Sequence, residues 1–206
     1  MIAGAAPGLL VLLLSPGVNA MNIHHLPYID QLEARDPQSI TTIVIHATET
    51  PDLAYARELA EVIHYPGSGT GNSGHYYLDL DGMVHEYVPV ERVAHHVRGH
   101  NRNSIGIEVV NAGRYPDWHH QAHQQWTAVY PQHQLKSLLS LVQSLRQRLP
   151  GIRCITRHSD LDQSWITASD DSQAQIRRKL DPGVTFPWSW LLDECGLPAC
   201  GDGIEP

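Results

Sequence analysis

The chain has 206 residues, 42% of them hydrophobic, and a formal net charge of −8 at pH 7. This length predicts one domain with a single sizeable core. The acidic charge, without a stripe of Lys and Arg, argues against nucleic acid as a partner.

The first twenty residues differ from the rest of the chain. An apolar run over Leu9–Leu14 precedes Val18-Asn19-Ala20, which is typical of a cleavage site for signal peptidase. We therefore expect a secretory signal peptide over 1–20, too short to span a membrane, and a mature protein in the periplasm or cell envelope without stable membrane insertion. Because this segment has no Lys or Arg, the alternative is a cytoplasmic protein that starts at Met21.

A polar, irregular approach segment is expected over 21–40. The β-branched run Ile40–Ile45 then predicts a strand buried on both faces, and His46 follows at its C-terminal end. Ligand sites in open α/β sheets lie at such strand ends.

The remaining elements alternate between strand and helix. Asp81-Gly82 predicts the turn of a hairpin, and Glu108 is the only charge in an apolar strand. A single α/β sheet with helices packed on it is therefore the expected architecture. The predicted elements are a helix over 53–64, hairpin strands over 75–80 and 83–88, a strand over 104–110, a helix over 133–149, a strand over 153–156 that leads to His158, and an inserted surface loop over 159–178.

The three cysteines suit an exported protein only in part. Cys195 and Cys200 lie close together near the C-terminus, where a small disulfide loop is possible in an oxidising compartment. Cys154, inside an apolar stretch, is expected to be a buried thiol.

The segment Arg178–Gly183, RKLDPG, gives the clearest indication of chemistry. In extended backbone Lys179 and Asp181 point to the same side. Two histidines, His46 and His158, with one aspartate are a sufficient ligand set for a catalytic zinc with one open position. Each of these features is common alone, so the prediction depends on their combination.

The stretches VIHAT, SIGIEVVN, RHSD, RKLDPG and FPW occur in that order. Together they resemble the zinc-dependent N-acetylmuramoyl-L-alanine amidases of the AmpD/AmiD kind, which are related to phage lysozyme-type amidases and to peptidoglycan recognition proteins. The resemblance covers 41–191. It implies a single catalytic domain with a mixed central β-sheet, followed by a C-terminal tail over 192–206.

Residue by residue, the resemblance implies one zinc ion per chain bound by His46, His158 and Asp181. It implies that Glu108 and Lys179 are the catalytic residues. The connection from His158 to Lys179 is longer than is usual in the family. Other candidates for the third ligand are therefore the aspartates nearer to His158 in sequence: Asp160, Asp162, Asp170 and Asp171.

His96 and Asn111 match family positions near the substrate, and we expect them to contact it. The implied reaction is hydrolysis of the amide between N-acetylmuramic acid and L-alanine in peptidoglycan or muropeptides. Two alternatives remain at this point: a peptidoglycan-binding module without activity, and a zinc peptidase that cleaves within the stem peptide.

Overall fold

The structure, a computed structural model, describes residues 21–201, so the predicted signal peptide lies outside the described residues. Six strands form a mixed sheet: β1 (Asn22–Ile23), β2 (Thr42–Ala47), β3 (Tyr76–Leu78), β4 (Val84–Glu86), β5 (Ser104–Val109) and β6 (Cys154–Arg157). Their order across the sheet is β1-β4-β3-β5-β2-β6. The strands β3 and β4 are antiparallel, and the other neighbours are parallel.

The strand β2 lies inside the sheet because its neighbours cover both edges and its side chains suit burial on both faces. All six of its residues are buried. Its partners are β5 on one side and β6 on the other, both parallel. The expectation of a doubly buried central strand is confirmed, although the strand extends through His46 instead of ending before it.

Helices cover both faces of the sheet. They are α1 (Leu53–Glu61), α2 (Gln132–Arg148), α3 (His158–Leu161) and α4 (Trp188–Cys195). On one face the leucines of α2 and Leu191 of α4 join the main core around Ile43 and Ile45. On the other face α1 packs with the N-terminal segment, whose Leu26 and Tyr28 are buried. Within residues 21–201, no helix is both long and apolar enough to cross a membrane.

The insert over 159–178 is more regular than the loop expected from its polarity. After α3 it forms an antiparallel hairpin of β7 (Trp165–Thr167) and β8 (Gln175–Arg177). Ile176 is its buried apolar residue, whereas Trp165 and Thr167 are exposed. A hairpin with so few buried side chains gives a weak apolar pattern, and the strands were therefore not predicted.

The C-terminal region also differs from expectation. The predicted boundary between 191 and 192 falls inside α4, and Leu197 beyond it belongs to the main core. The suggested pairing of Cys195 with Cys200 is wrong, as is the free thiol at Cys154: Cys154 and Cys200 form a disulfide with their Cα atoms 5.1 Å apart. The chain near Cys200 runs along β6, where its amide donates to Ile155 O at 3.0 Å, while Cys195 is a buried thiol.

Candidate metal centre and catalytic cleft

A cleft of about 810 Å³ opens where β2 and β5 approach their C-terminal ends. The five side chains predicted to carry the chemistry all line this cleft. They come from four parts of the chain: β2, β5, the start of α3 and the turn after β8. They are His46, Glu108, His158, Lys179 and Asp181.

Three buried side chains converge at the bottom of the cleft. The Nδ1 atoms of His46 and His158 are 3.0 Å apart, and Oδ2 of Asp181 lies 3.2 Å from the first and 3.0 Å from the second. All three residues are at most 3% exposed. The predicted ligand set is therefore brought together, with one nitrogen or oxygen from each residue facing the others.

This cluster fits a zinc ion better than it fits a set of hydrogen bonds. Ligand atoms about 2.0–2.1 Å from a tetrahedral zinc lie roughly 3.3 Å from one another, close to the observed separations. If both Nδ1 atoms carried a proton to donate to Asp181, two N–H groups only 3.0 Å apart would repel each other. In addition, Asp181 Oδ1 is buried with no hydrogen-bond partner among residues 21–201. Two nitrogens and one oxygen are also the donors that zinc accepts.

The aspartates that lie nearer to His158 in sequence do not join this cluster. Asp160 forms a bidentate pair with Arg157, and Asp162 pairs with Arg178. Asp170 and Asp171 accept hydrogen bonds from backbone amides, those of Gln121 and Gln173 among them. Of the five aspartates considered, only Asp181 lies between the two histidines.

Burial dominates the electrostatics of the cleft. It lowers the pKa of His46 to about 4, with repulsion from His158 as the next cause, so this imidazole is neutral and able to act as a ligand. Burial raises the pKa of Glu108 to about 8, and the nearby Asp181 carboxylate adds to this rise. Burial would also raise the pKa of Asp181, but the two adjacent histidines, His158 foremost, hold it well below its ordinary value.

The turn that follows Asp181 is fixed by aromatic residues. Gly183 has φ +85°, and a Cβ on it would lie 2.2 Å from the ring of Trp126. The hydroxyl of Tyr130 donates to Pro182 O at 2.6 Å. Glycine is therefore required both by the backbone conformation and by the close approach of the indole, which explains the DPG of this segment in physical terms.

Sequence reasoning missed a buried ion pair beside the cleft. The guanidinium of Arg114 donates from Nε to Glu49 Oε2 at 2.7 Å and from Nη2 to Glu49 Oε1 at 2.8 Å. It also donates to the carbonyls of Arg177 and Arg178, the two residues before Lys179. Glu49 adopts φ 51°, a backbone conformation that residues other than glycine rarely adopt. Arg114 lies in an irregular polar stretch, so no local pattern indicated this role.

Of the two residues expected to contact the substrate, His96 lies in the cleft and Asn111 does not. His96 lines the cleft, but its Nδ1 lies 3.0 Å from Nε2 of His46. Asn111 is 2% exposed, and its amide donates to Val129 O while its oxygen accepts from Gly113 N. It does not line the cleft, because both ends of its side chain stabilise the loop after β5. The contact expected between Asn111 and substrate is not supported by this placement.

Comparison with known proteins agrees with this geometry. The family model described as N-acetylmuramoyl-L-alanine amidase matches residues 36–184, which include all five predicted site residues. No curated protein matches the chain.

Several solved structures share the fold. The amidase LysC from Clostridium intestinale URNW has a TM-score of 0.62 at 18% identity, over 87% of this chain and 99% of its own. AmiD from E. coli, in complex with an anhydro-N-acetylmuramic acid peptide, has a TM-score of 0.59 at 24% identity, over 80% of this chain and 60% of its own. AmpDh3 from Pseudomonas aeruginosa, in complex with anhydromuramic pentapeptide, has a TM-score of 0.57 at 23% identity, over 90% of this chain and 68% of its own. At these identities the likeness concerns the fold.

Proposed function

Because the chain belongs to the N-acetylmuramoyl-L-alanine amidase family, we propose that it is a zinc-dependent hydrolase of peptidoglycan or muropeptides. The bond cleaved is the amide between the lactyl group of N-acetylmuramic acid and L-alanine of the stem peptide. One observation carries the proposal: the ligand atoms of His46, His158 and Asp181 converge to within 3.0–3.2 Å, and the partly buried carboxylate of Glu108 lies beside them.

Different side chains have different roles in the proposed hydrolysis. His46, His158 and Asp181 would hold the zinc ion, which supplies a Lewis acid and lowers the pKa of water at its open position towards 7. A cation at the cluster would favour the ionised form of Glu108 against the effect of burial, and this carboxylate accepts the proton from the attacking water. It then gives this proton to the nitrogen of L-alanine as the C–N bond breaks.

Lys179 has a separate role at the carbonyl oxygen. Lys179 lines the cleft together with Glu108 and the ligand cluster. A cation in this place stabilises the negative charge that forms on the oxygen during attack. The muramyl carboxylate then leaves as one product, and the stem peptide with a free L-alanine amine leaves as the other.

We also propose that the mature protein acts outside the cytoplasm, in the periplasm or cell envelope. The disulfide between Cys154 and Cys200 supports this location, because such bonds persist in oxidising compartments and are rare in the cytosol. A cytoplasmic protein beginning at Met21 would instead be expected to hold all three cysteines as thiols.

Mass spectrometry of muropeptides incubated with the purified protein tests the reaction. The expected products are stem peptides that begin with L-alanine and glycans without peptide. Shortened stems that remain attached to the glycan would identify a zinc peptidase instead. Bound but intact muropeptides, with zinc present, would identify a binding module.

A further inference from the structure

Behind the candidate metal ligands, a chain of hydrogen bonds runs from His46 to a backbone carbonyl. Nε2 of His46 lies 3.0 Å from Nδ1 of His96, and Nε2 of His96 lies 3.1 Å from Oγ of Ser104. Oγ of Ser104 lies 2.6 Å from the carbonyl oxygen of His100. The three links join two histidine rings and one hydroxyl into a single path.

The carbonyl end of this path determines where every proton lies. A carbonyl oxygen only accepts, so the single hydroxyl proton of Ser104 is donated to His100 O. Oγ of Ser104 must then accept from Nε2–H of His96. A neutral imidazole carries one N–H, so Nδ1 of His96 accepts and Nε2 of His46 donates to it.

The consequence reaches the metal cluster. With its proton on Nε2, His46 presents a bare lone pair at Nδ1, and this is the atom that faces His158 and Asp181. A lone pair directed at a carboxylate oxygen 3.2 Å away is repulsive unless a cation lies between them. The hydrogen-bonded path thus prepares His46 in the tautomer that binds a cation through Nδ1.

The surrounding residues hold His96 in this place. A Cβ on Gly106 would lie 2.5 Å from Cγ of the His96 ring, so the strand must carry glycine here for the ring to pack against it. The side-chain oxygen of Asn101 accepts from the backbone amides of His96 and Val97 at 3.1 and 2.8 Å. The position of the imidazole is therefore determined by both its ring and its backbone.

We propose that His96 is a positioning residue that, with Ser104, keeps the proton of His46 on Nε2 and so leaves Nδ1 free to bind zinc. This inference rests on the zinc site proposed above. It assigns His96 a role through His46 instead of the expected contact with substrate.

Zinc dissociation constants, measured by competition with a chromophoric chelator, test the inference without reference to activity. His96→Phe keeps a ring against Gly106 and removes both nitrogens, and it should weaken zinc binding by about 10–100-fold. His96→Asn restores an acceptor for His46 Nε2–H and should bind more tightly than His96→Phe. The matched control is His95→Phe, because His95 lines the same cleft and packs on Tyr65 instead of His46; its zinc affinity should be unchanged.

Nuclear magnetic resonance of the zinc-loaded wild-type protein gives a second readout that needs no variant. The Hε2 proton of His46 should exchange slowly with solvent, and a coupling through the hydrogen bond should connect it to Nδ1 of His96.

Three results would overturn the inference: wild-type affinity in a folded His96→Phe protein, His96→Asn no tighter than His96→Phe, or a missing coupling in the wild type. A wild-type protein that binds no zinc would instead reject the proposed metal site, and this inference with it.

Discussion

Glu108 and His46 are direct neighbours in the sheet: they are register partners on β5 and β2, and Oε1 of the first lies 3.9 Å from Nδ1 of the second. Side chains at paired positions of parallel strands point to the same face. A shift of this register by one residue would turn the carboxylate to the opposite face of the sheet. The pairing of these two strands therefore places the candidate base beside the candidate ligand.

The first prediction concerns the zinc ligands. The purified protein should contain close to one zinc ion per chain by inductively coupled plasma mass spectrometry. His46→Ala and His158→Ala should lose it, because two remaining ligands do not complete a site of this type. Asp181→Ala should lose it as well. Asp160→Ala is the matched control: it should keep its zinc, since this carboxylate pairs with Arg157 at the surface. Zinc retained by Asp181→Ala and lost by Asp160→Ala would mean that the third ligand is misassigned.

The second prediction separates chemistry from metal binding. Glutamine is nearly isosteric with glutamate but does not accept a proton at neutral pH, so Glu108→Gln should retain its fold and its zinc. Its rate of muropeptide cleavage should fall by roughly 10²–10⁴-fold, the usual contribution of a positioned acid–base group. Cleavage and zinc content should be measured on the same samples. Near-normal turnover would make Glu108 a structural residue, and loss of zinc would make it a ligand.

The third prediction concerns Lys179. Its proposed contact forms mainly as charge develops on the carbonyl oxygen, so Lys179→Met should lower kcat and leave KM largely unchanged. Steady-state kinetics with a defined muropeptide would measure both. A raised KM with unchanged kcat would instead indicate that the ammonium binds the ground state of the substrate.

The fourth prediction concerns the ion pair of Arg114 with Glu49. Arg114→Met leaves the carboxylate of Glu49, whose side chain is 8% exposed, buried without its partner. Loss of one partner from a buried pair costs about 3–5 kcal/mol in the free energy of unfolding. The matched control is Arg102→Met, which breaks an exposed pair with Glu33 and should cost about 0–1 kcal/mol. Urea denaturation would measure the free energy of unfolding of both variants. Equal losses of stability would contradict the expected difference between the buried and the exposed ion pair.

Much of the fold could be predicted from local patterns, such as the β-branched run before His46 that indicates a buried strand. The five principal site positions were expected from the combination of motifs and from its resemblance to a known family, since each feature is common alone. The structure brings the five side chains to one cleft. The distance along the chain between His158 and Asp181 made the third ligand uncertain. Only the folded hairpin of the insert, β7 and β8, shows that the segment after it returns to the cluster.

Contacts between distant segments could not be predicted in this way. The path from His46 through His96 to Ser104 joins three parts of the chain, and none of its links has a signature in local spacing. The same holds for the contacts of Arg114 with Glu49, Arg177 and Arg178, which lie 63–65 residues away. The position of Asn111 after a strand suggested the substrate, but its amide is used within its own loop.

The last prediction concerns the disulfide. Cys154 is on β6, four residues before His158, and Cys200 is at the end of the segment that runs beside this strand. Cys200→Ser should therefore destabilise the protein by about 2–4 kcal/mol, because the bond restricts the unfolded chain across a separation of 46 residues. Cys195→Ser is the matched control: Cys195 is a buried thiol, so its loss removes no covalent link.

Peptide mapping without reduction would identify the pairing directly, and thermal unfolding with and without reductant would measure its contribution. Reductant should lower the Tm of the wild type and of Cys195→Ser, and leave that of Cys200→Ser unchanged. A mapped bond between Cys195 and Cys200 would contradict the structure. Three free thiols in protein purified without reductant from its native compartment would remove the support that this bond gives to export, because a cytosolic protein keeps its cysteines reduced.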